Sequence, residues 1–108
     1  MPGPAGQVTR ATVWFDGAPV TILPKRAPVG SSEPIRGRTL AVFPDVPSGP
    51  PPPELRVAHT ATVEPGGRPA RAVLDLTEAQ ARRTGAALGL ESVLFWDGRR
   101  AQLLDCQT

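Results

Sequence analysis

The stretch that decides the fold runs over residues 73–104 and reads VLDLTEAQARRTGAALGLESVLFWDGRRAQLL. Within it, Thr77 and Gln80 have the Ser/Thr-x-x-Glu/Gln spacing of a capping box, in which each side chain accepts a hydrogen bond from the other residue's backbone N–H. Gly89 occupies the place where a helix commonly turns left-handed and stops, a conformation that costs glycine little. These two signals predict a helix over 78–88.

The same stretch predicts a C-terminal hairpin. Residues 92–96, SVLFW, are too short and too aromatic for a second helix and are typical of a strand. Asp97-Gly98 is a strong two-residue hairpin signal, and 99–104 can return as the partner strand. Because the helix before it has only a thin apolar stripe from Ala81 to Leu88, we expect that helix to pack on one face of a sheet.

The rest of the chain has the pattern of short strands separated by turns. Asp16-Gly17 and the glycine pair after Pro65 are turn signals, and the segments beside them are rich in Val, Thr and alternating apolar residues. We expect strands at 8–15, 20–23, 38–43, 55–63 and 70–76. A run of strands followed by one helix and a hairpin favours an α+β fold, a mainly antiparallel sheet of about five to seven short strands with one principal helix.

The chain has 14 prolines and 11 glycines, and their positions suggest a folded domain with loops, since they gather between the expected strands. A length of 108 residues suits one domain, so we predict a single domain over 1–108. Residues 1–6 are expected to be a flexible N-terminal tail. Residues 44–53, PDVPSGPPPP, are expected to be an exposed polyproline II loop, more typical of a stiff spacer than of a ligand for an aromatic groove.

Charge and cysteine content narrow the functional classes. The net charge is only +2, and the high pI of about 9.5 reflects eleven arginines against one lysine. Cys106 is the single cysteine, so an internal disulfide is excluded. The sequence shows neither a signal-peptide pattern nor an apolar run near the ~20 residues that span a bilayer. We therefore expect a cytoplasmic protein with no membrane partner.

Residues 70–104 resemble the C-terminal part of a bacterial family called domain of unknown function 3293. In that family a strand leads into a helix, then into an aliphatic-aromatic strand, a polar turn and a last strand. The residues that carry the resemblance are Ala72-Val73-Leu74, Ala79 through Leu88, Val93-Leu94-Phe95-Trp96 and Leu103-Leu104. The resemblance implies a cytosolic α+β protein, and it brings no catalytic residues because the family has no assigned activity.

Candidate chemistry is sparse. His59 is the only histidine, and it falls on the apolar face of the strand expected at 55–63, where a packed imidazole is the favoured interpretation. Structural zinc needs four Cys or His ligands, and the chain holds two such residues. We therefore predict no catalytic residues, no metal site and no cofactor. A small enzyme whose site is not visible in sequence is kept as a second alternative, and a pocket that joins His59 to a carboxylate would reveal it.

Arginines supply the first alternative, nucleic-acid binding. If folding gathers them beside exposed Trp14, Phe95 or Trp96, such a face could hold phosphates and stack bases. The opposing interpretation, which we favour, is that the aromatic residues fill the core and the helix arginines are solvated. The candidate face for nucleic acid or another partner consists of Arg68, Arg71, Arg82, Arg83, Arg99 and Arg100.

The leading hypothesis is a small non-catalytic module for protein–protein interaction or regulation. It rests on the lack of chemical motifs together with hairpins whose edges can accept a partner. The expected partner is another protein or a second copy of the chain, with nucleic acid as the alternative.

Overall fold

A computed structural model of the chain describes residues 9–24, 29–30, 35–45, 58–64 and 66–106. The predicted tail at 1–6 and all but the first two residues of the predicted loop at 44–53 lie outside these ranges. Pro44 is a buried residue of a strand, because the strand that begins at Leu40 keeps its pairing as far as Ala70 of the neighbouring strand. The prediction that Pro44 belongs to the exposed loop is therefore wrong, because Pro44 is the last residue of the strand.

The described residues form one sheet and one helix. The elements are β1 Arg10–Phe15, β2 Ala18–Ile22, β3 Val29–Gly30, β4 Leu40–Pro44, β5 His59–Glu64, β6 Arg68–Leu74, α1 Glu78–Ala87, β7 Ser92–Trp96 and β8 Ala101–Asp105. The strands are antiparallel throughout, in the order β3-β2-β1-β5-β6-β4-β7-β8. The predicted α+β class with a mainly antiparallel sheet is confirmed. The two-residue β3 was not predicted, since it is too short to show an alternating pattern.

The capping box forms as predicted. Thr77 Oγ1 accepts a hydrogen bond from the Gln80 backbone N–H at 3.1 Å, and Gln80 Oε1 accepts one from the Thr77 N–H at 2.9 Å. Gly89 has φ +77°, the left-handed conformation expected after a helix end. The helix ends at Ala87 with Leu88 as its C-cap, one residue before the predicted end.

Several strand boundaries differ from prediction for local reasons. β4 begins at Leu40 instead of residue 38, because the Arg38 N–H closes a turn onto the Ile35 carbonyl at 3.1 Å. β6 spans Arg68–Leu74 instead of 70–76, because Asp75 takes a left-handed backbone conformation with φ +68° and ends the strand. β5 spans His59–Glu64 instead of 55–63. Ala58 is described and precedes the strand, and residues 55–57 lie outside the described ranges.

The two Asp-Gly turns differ from each other. In the β1–β2 turn, Asp16 and Gly17 are the two central residues and both have positive φ, as the sequence predicted. In the β7–β8 turn the Asp97 N–H donates to the Arg100 carbonyl at 3.1 Å, so the central pair is Gly98-Arg99. The Asp97 carboxylate causes the shift, since its Oδ1 accepts from the N–H groups of Arg99 and Arg100.

The sheet curls into a half-barrel with two apolar cores. Pro24, just past β2, meets Ala101 of β8 in an isolated parallel bridge, so the two sides of the sheet approach each other. We call the enclosed side the inner face and the other side the outer face. The inner core contains Ala11, Val13, Phe15, Val20, Ile22, Ile35, Leu40, Val42, Ala61, Val63, Ala70, Ala72, Leu94, Trp96 and Ala101.

The second core lies on the outer face of β4, β6, β7 and β8, beside helix α1. It contains Ala41, Phe43, Val73, Leu76, Ala81, Leu90, Val93, Phe95, Leu104 and Cys106. Gly85 permits the close approach of helix and sheet, because a Cβ there would overlap Cys106 Sγ and lie 2.8 Å from Val93 Cγ1. The helix thus covers one half of the outer face.

A candidate binding face on the uncovered half of the sheet

The other half of the outer face, on β2, β1, β5 and β6, is accessible. Burial alternates along these strands, with inner residues such as Val13 fully buried and outer residues such as Thr12 and Trp14 only partly buried. Thr60 and Arg71 are exposed. We define the binding face as Thr12, Trp14, Pro19, Thr21, Thr60, Thr62, Pro69 and Arg71.

Strand register fixes how these side chains are arranged. Trp14 lies opposite Pro19 of β2, and the register of β1 with β5 carries it opposite Thr60 on its other side. Thr60 in turn pairs with Arg71 of β6, which is opposite Phe43 under the helix-covered half. One row therefore runs from proline through tryptophan and threonine to arginine, across about 14 Å at the usual spacing between strands.

A second row is built from threonines. Cross-strand pairing joins Thr21 to Thr12 and Thr12 to Thr62. Thr62 pairs in turn with Pro69 of β6. The hydroxyls of Thr12 and Thr21 lie 3.4 Å apart. Hydroxyl groups both donate and accept hydrogen bonds, so this row can bind hydrogen-bond donors as well as acceptors of a partner.

A depression of about 370 Å³ adjoins the arginine end of the first row. Its lining is Asp45, Ala58, His59, Thr60, Ala61, Pro69, Ala70 and Arg71. Arg71 Nε lies 3.3 Å from Asp45 Oδ1, and both side chains are a little under half exposed. The binding face therefore combines a partly buried ring, a row of hydroxyls and a recess with an ion pair at its rim.

The charges of this surface are balanced. Arg71 is paired with Asp45 at the recess, and Arg10 lies opposite Glu64 at the far edge of the threonine row. Each of these two arginines therefore has a carboxylate beside it or opposite it. A balanced face that carries a tryptophan suits a neutral or mixed-charge partner better than a polyanion.

His59 and the carboxylate of Asp45 both line the recess, which is the arrangement that the enzyme alternative required. Asp45 is paired with Arg71, and the His59 ring packs on Phe15. The imidazole is partly buried on the inner face, with its centroid 4.8 Å from that of Phe15 and the planes at 53°. Among the residues that the structure describes, no carboxylate is hydrogen-bonded to the His59 ring. General-base chemistry needs such an orienting group and a substrate within reach.

The arginines predicted as one face lie on three different elements. Arg68 and Arg71 belong to β6, Arg82 and Arg83 to α1, and Arg99 and Arg100 to the β7–β8 turn. Arg68 is the first residue of β6. The β7–β8 turn follows Trp96, and Trp96 lies at the level of Leu74, the last residue of β6, because both are cross-strand partners of Leu40. The fold thus separates Arg68 from the turn arginines by about 20 Å along the strand direction.

The positions of the aromatic side chains separate Trp14 from the others. Phe15, Phe43, Phe95 and Trp96 are all buried, with Trp96 at 6 % exposure, and the Trp96 Nε1–H donates to the Ile35 carbonyl at 3.2 Å. Trp14 alone is partly exposed. The favoured prediction that the aromatic residues fill the core is therefore confirmed for Phe95 and Trp96. It is wrong for Trp14, which lies partly exposed on the binding face.

Comparisons with protein-family models, with curated proteins and with solved structures find no match to the chain. In the described ranges, no helix is long and apolar enough to cross a bilayer. The same ranges hold no group of three or more His, Cys, Asp or Glu side chains arranged to bind a metal ion.

Proposed function

We propose that the chain is a protein-binding module whose partner docks on the binding face around Trp14. The single observation that carries the proposal is a tryptophan left partly exposed on an uncovered sheet face, in a chain whose four other aromatic residues all lie in the core. Large rings at the centre of a surface are the commonest anchors of protein interfaces, because burying them releases much apolar area.

The two halves of the outer face have different roles in this proposal. Helix α1 closes the half formed by β4, β7 and β8, where Phe43 and Phe95 are 1 % exposed. The half formed by β2, β1, β5 and residues 69–71 of β6 carries Trp14 and is left for a partner. The segment that resembles domain of unknown function 3293, residues 70–104, contains helix α1 and contributes Arg71 to the binding face.

The chemistry of the face supports a protein partner with an apolar centre and hydrogen-bonding groups around it. Trp14 and Pro19 offer apolar area, and Thr12 and Thr62 offer hydroxyls beside it. The compensated charges of Arg71 and Asp45 give little attraction for phosphate chains. A polyanion that binds Arg71 would separate it from Asp45 and leave that carboxylate unpaired. A protein surface with both charges can instead keep the ion pair or supply a new partner to each side chain.

The size of the face sets the strength of binding. Four strands spaced about 4.8 Å apart and two rows about 7 Å apart present roughly 270 Å². A standard interface buries about 800 Å² on each partner. The binding face by itself therefore suits a weak or transient complex, in the micromolar range of dissociation constants.

Site-specific crosslinking tests the proposal. A photoreactive amino acid is placed at Thr12 on the binding face and, as a matched control, at Arg83, which is exposed on helix α1. Both variants are expressed in the source cells, irradiated, and their crosslinked proteins identified. We expect a protein that is captured from position 12 and not from position 83, and the size of the adduct separates a second copy of the chain from a different protein.

The captured partner is then purified and titrated with the unmodified protein and with Trp14→Ala. We expect Trp14→Ala to raise Kd at least about tenfold, the effect of removing one central aromatic anchor. Arg83→Ala should leave Kd within about twofold, since a residue outside the interface contributes little. Equal capture from both positions, or a Kd that does not respond to Trp14→Ala, would show that the binding face is not the interface.

A further inference from the structure

Two turns are packed together at the end of the sheet where β4 begins and β7 ends. The turn at 35–38 is closed by the bond from the Arg38 N–H to the Ile35 carbonyl. The same carbonyl accepts the Trp96 Nε1–H at 3.2 Å, which ties this turn to the end of β7. A Cβ on Gly98 would lie 3.7 Å from the Arg38 carbonyl oxygen, so the turn at 97–100 rests directly against it. We call residues 35–38 and 97–100 the turn pair.

The turn pair carries four arginines, Arg36, Arg38, Arg99 and Arg100. Arg36, Arg99 and Arg100 are exposed, and Arg38 is about half exposed. The backbone of the second turn is held by Asp97, whose Oδ1 accepts the N–H groups of Arg99 at 2.8 Å and Arg100 at 3.0 Å. The arginine side chains thus project from a backbone that is already ordered.

The carboxylates of Asp75, Glu78 and Asp97 are all engaged, whereas three of the guanidinium groups are not. Asp75 is paired with Arg38, Glu78 lies 3.8 Å from Arg82, and Asp97 is bonded to backbone N–H groups of its own turn. Among the residues that the structure describes, Arg36, Arg99 and Arg100 have no carboxylate within ion-pair distance. The four arginines of the turn pair therefore face only two carboxylates, Asp75, which pairs with Arg38, and Asp97, which attracts Arg99 and Arg100 electrostatically. The turn pair is a local excess of positive charge, unlike the balanced binding face.

We propose that the turn pair binds the phosphate backbone of double-stranded nucleic acid, without reading its sequence. Guanidinium groups match phosphate oxygens in geometry and charge, and three of them on ordered turns can contact successive phosphates. Single-strand binders add exposed rings for base stacking, but the ring beside these turns, Trp96, is buried and donates its N–H to Ile35. A duplex, with one charge per about 1.7 Å of axis, supplies the denser row of phosphates.

The proposal is independent of the binding face, which lies on other strands. It also differs from the set of six arginines predicted from the sequence, because it assigns the contact to Arg36, Arg99 and Arg100. Arg82 and Arg71 are excluded because each is paired with a carboxylate.

The position of Arg68 provides a matched control. Arg68 is exposed and has no ion pair among the described residues, yet it lies at the opposite end of β6 from the turn pair. Replacing it removes one positive charge at a distant place. A general effect of net charge would therefore respond to Arg68, whereas a local phosphate site would not.

The test is fluorescence anisotropy with a labelled mixed-sequence DNA duplex of about 20 base pairs, titrated between about 50 and 200 mM NaCl. We expect a plot of log K against log salt with a slope of about −2.7, the value for three phosphate contacts on duplex DNA. The triple variant Arg36→Ala/Arg99→Ala/Arg100→Ala should weaken binding at least about tenfold at the lowest salt. Arg68→Ala should change it less than about twofold, and a duplex of scrambled sequence should bind equally.

Three results would overturn the inference. These are equal losses from the triple variant and Arg68→Ala, tighter binding of a single strand than of the duplex, and equally strong displacement by polyglutamate of matched charge. Replacement of the same three arginines by lysine keeps the charge and should retain more of the binding than replacement by alanine. Circular dichroism melting of every variant establishes that the fold is intact, and Trp14→Ala should leave the duplex affinity unchanged.

Discussion

The guanidinium of Arg38 and the carboxylate of Asp75 form a two-pronged ion pair, in which Nε donates to Oδ1 at 3.0 Å and Nη2 donates to Oδ2. Asp75 makes this pair from a left-handed backbone conformation, φ +68°, that aspartate tolerates better than most residues do. Its N–H also donates to the Thr39 carbonyl at 2.9 Å. The ion pair therefore connects the residues just before β4 to the segment between β6 and Thr77, the N-cap of α1.

The backbone conformation of Asp75 gives a first prediction. Asp75→Gly and Asp75→Ala both delete the carboxylate, and they differ chiefly in how the new residue accepts a positive φ. Because a Cβ in the left-handed region costs about 1 kcal/mol, we expect the glycine variant to be the more stable by about that amount. Urea denaturation measures the difference. Equal stabilities would show that Asp75 is not held in the left-handed conformation in solution.

A second prediction concerns acid stability. The hydrogen bonds from Arg38 lower the pKa of Asp75, and the backbone N–H groups of Arg100 and Arg99 lower the pKa of Asp97, each from an ordinary value of 3.8. A carboxyl whose pKa is lower in the folded state stabilises the fold above its unfolded pKa, and this contribution is lost as pH falls through the folded pKa. The free energy of unfolding should therefore decrease as pH falls below about 4.

The Asp75→Asn/Asp97→Asn variant tests the assignment, because both amides keep a hydrogen-bonding oxygen and cannot titrate. Its free energy of unfolding should depend less steeply on pH below about 4 than that of the unmodified protein. Identical slopes for the double variant and the unmodified protein would assign the acid sensitivity to other carboxyls.

Buried Thr84 gives a third prediction. The residue is 2 % exposed on the sheet-facing side of α1, and its Oγ1 has no hydrogen-bond partner among the described residues. Leaving a buried hydroxyl unpaired costs about 1–3 kcal/mol, and valine has nearly the same shape and a similar helix propensity. Thr84→Val should raise the free energy of unfolding by about 1 kcal/mol, as measured by urea denaturation. Thr84→Ser keeps the hydroxyl and removes a methyl group, so it should lower that free energy.

Two pairs of adjacent aromatic residues show which features of this fold can be predicted from sequence and which cannot. Trp14-Phe15 and Phe95-Trp96 each precede Asp-Gly, and in both pairs the second ring lies in the inner core while the first lies on the outer face. This alternation follows from the two-residue period of a strand and was predictable. What differs is that Phe95 is covered in the helix-side core and Trp14 is not. That outcome depends on which strands the helix meets.

The order of strands could not be predicted for the same reason. Hairpins such as β1–β2 and β5–β6 follow from local turn signals, but β4 inserts between β6 and β7, and β5 pairs with β1. These pairings join residues distant in the chain and leave no local pattern. The binding face depends on the second pairing, because it is β5 that places Thr60 and Thr62 beside Trp14 and Thr12. The turn pair likewise requires residues 35–38 to meet the β7–β8 turn.

The last prediction concerns the contact between helix and sheet at Gly85. In an exposed helix position Gly→Ala stabilises by about 1 kcal/mol, yet a Cβ at Gly85 would overlap Cys106 Sγ and crowd Val93 Cγ1. We expect Gly85→Ala to lower the free energy of unfolding by about 1–3 kcal/mol, the usual cost of overpacking. Cys106→Ala removes the sulfur, so it should cost less in the Gly85→Ala background than alone. Guanidinium denaturation of the four proteins of this cycle gives the coupling energy, and additive effects would mean that the helix does not approach Cys106 at this point.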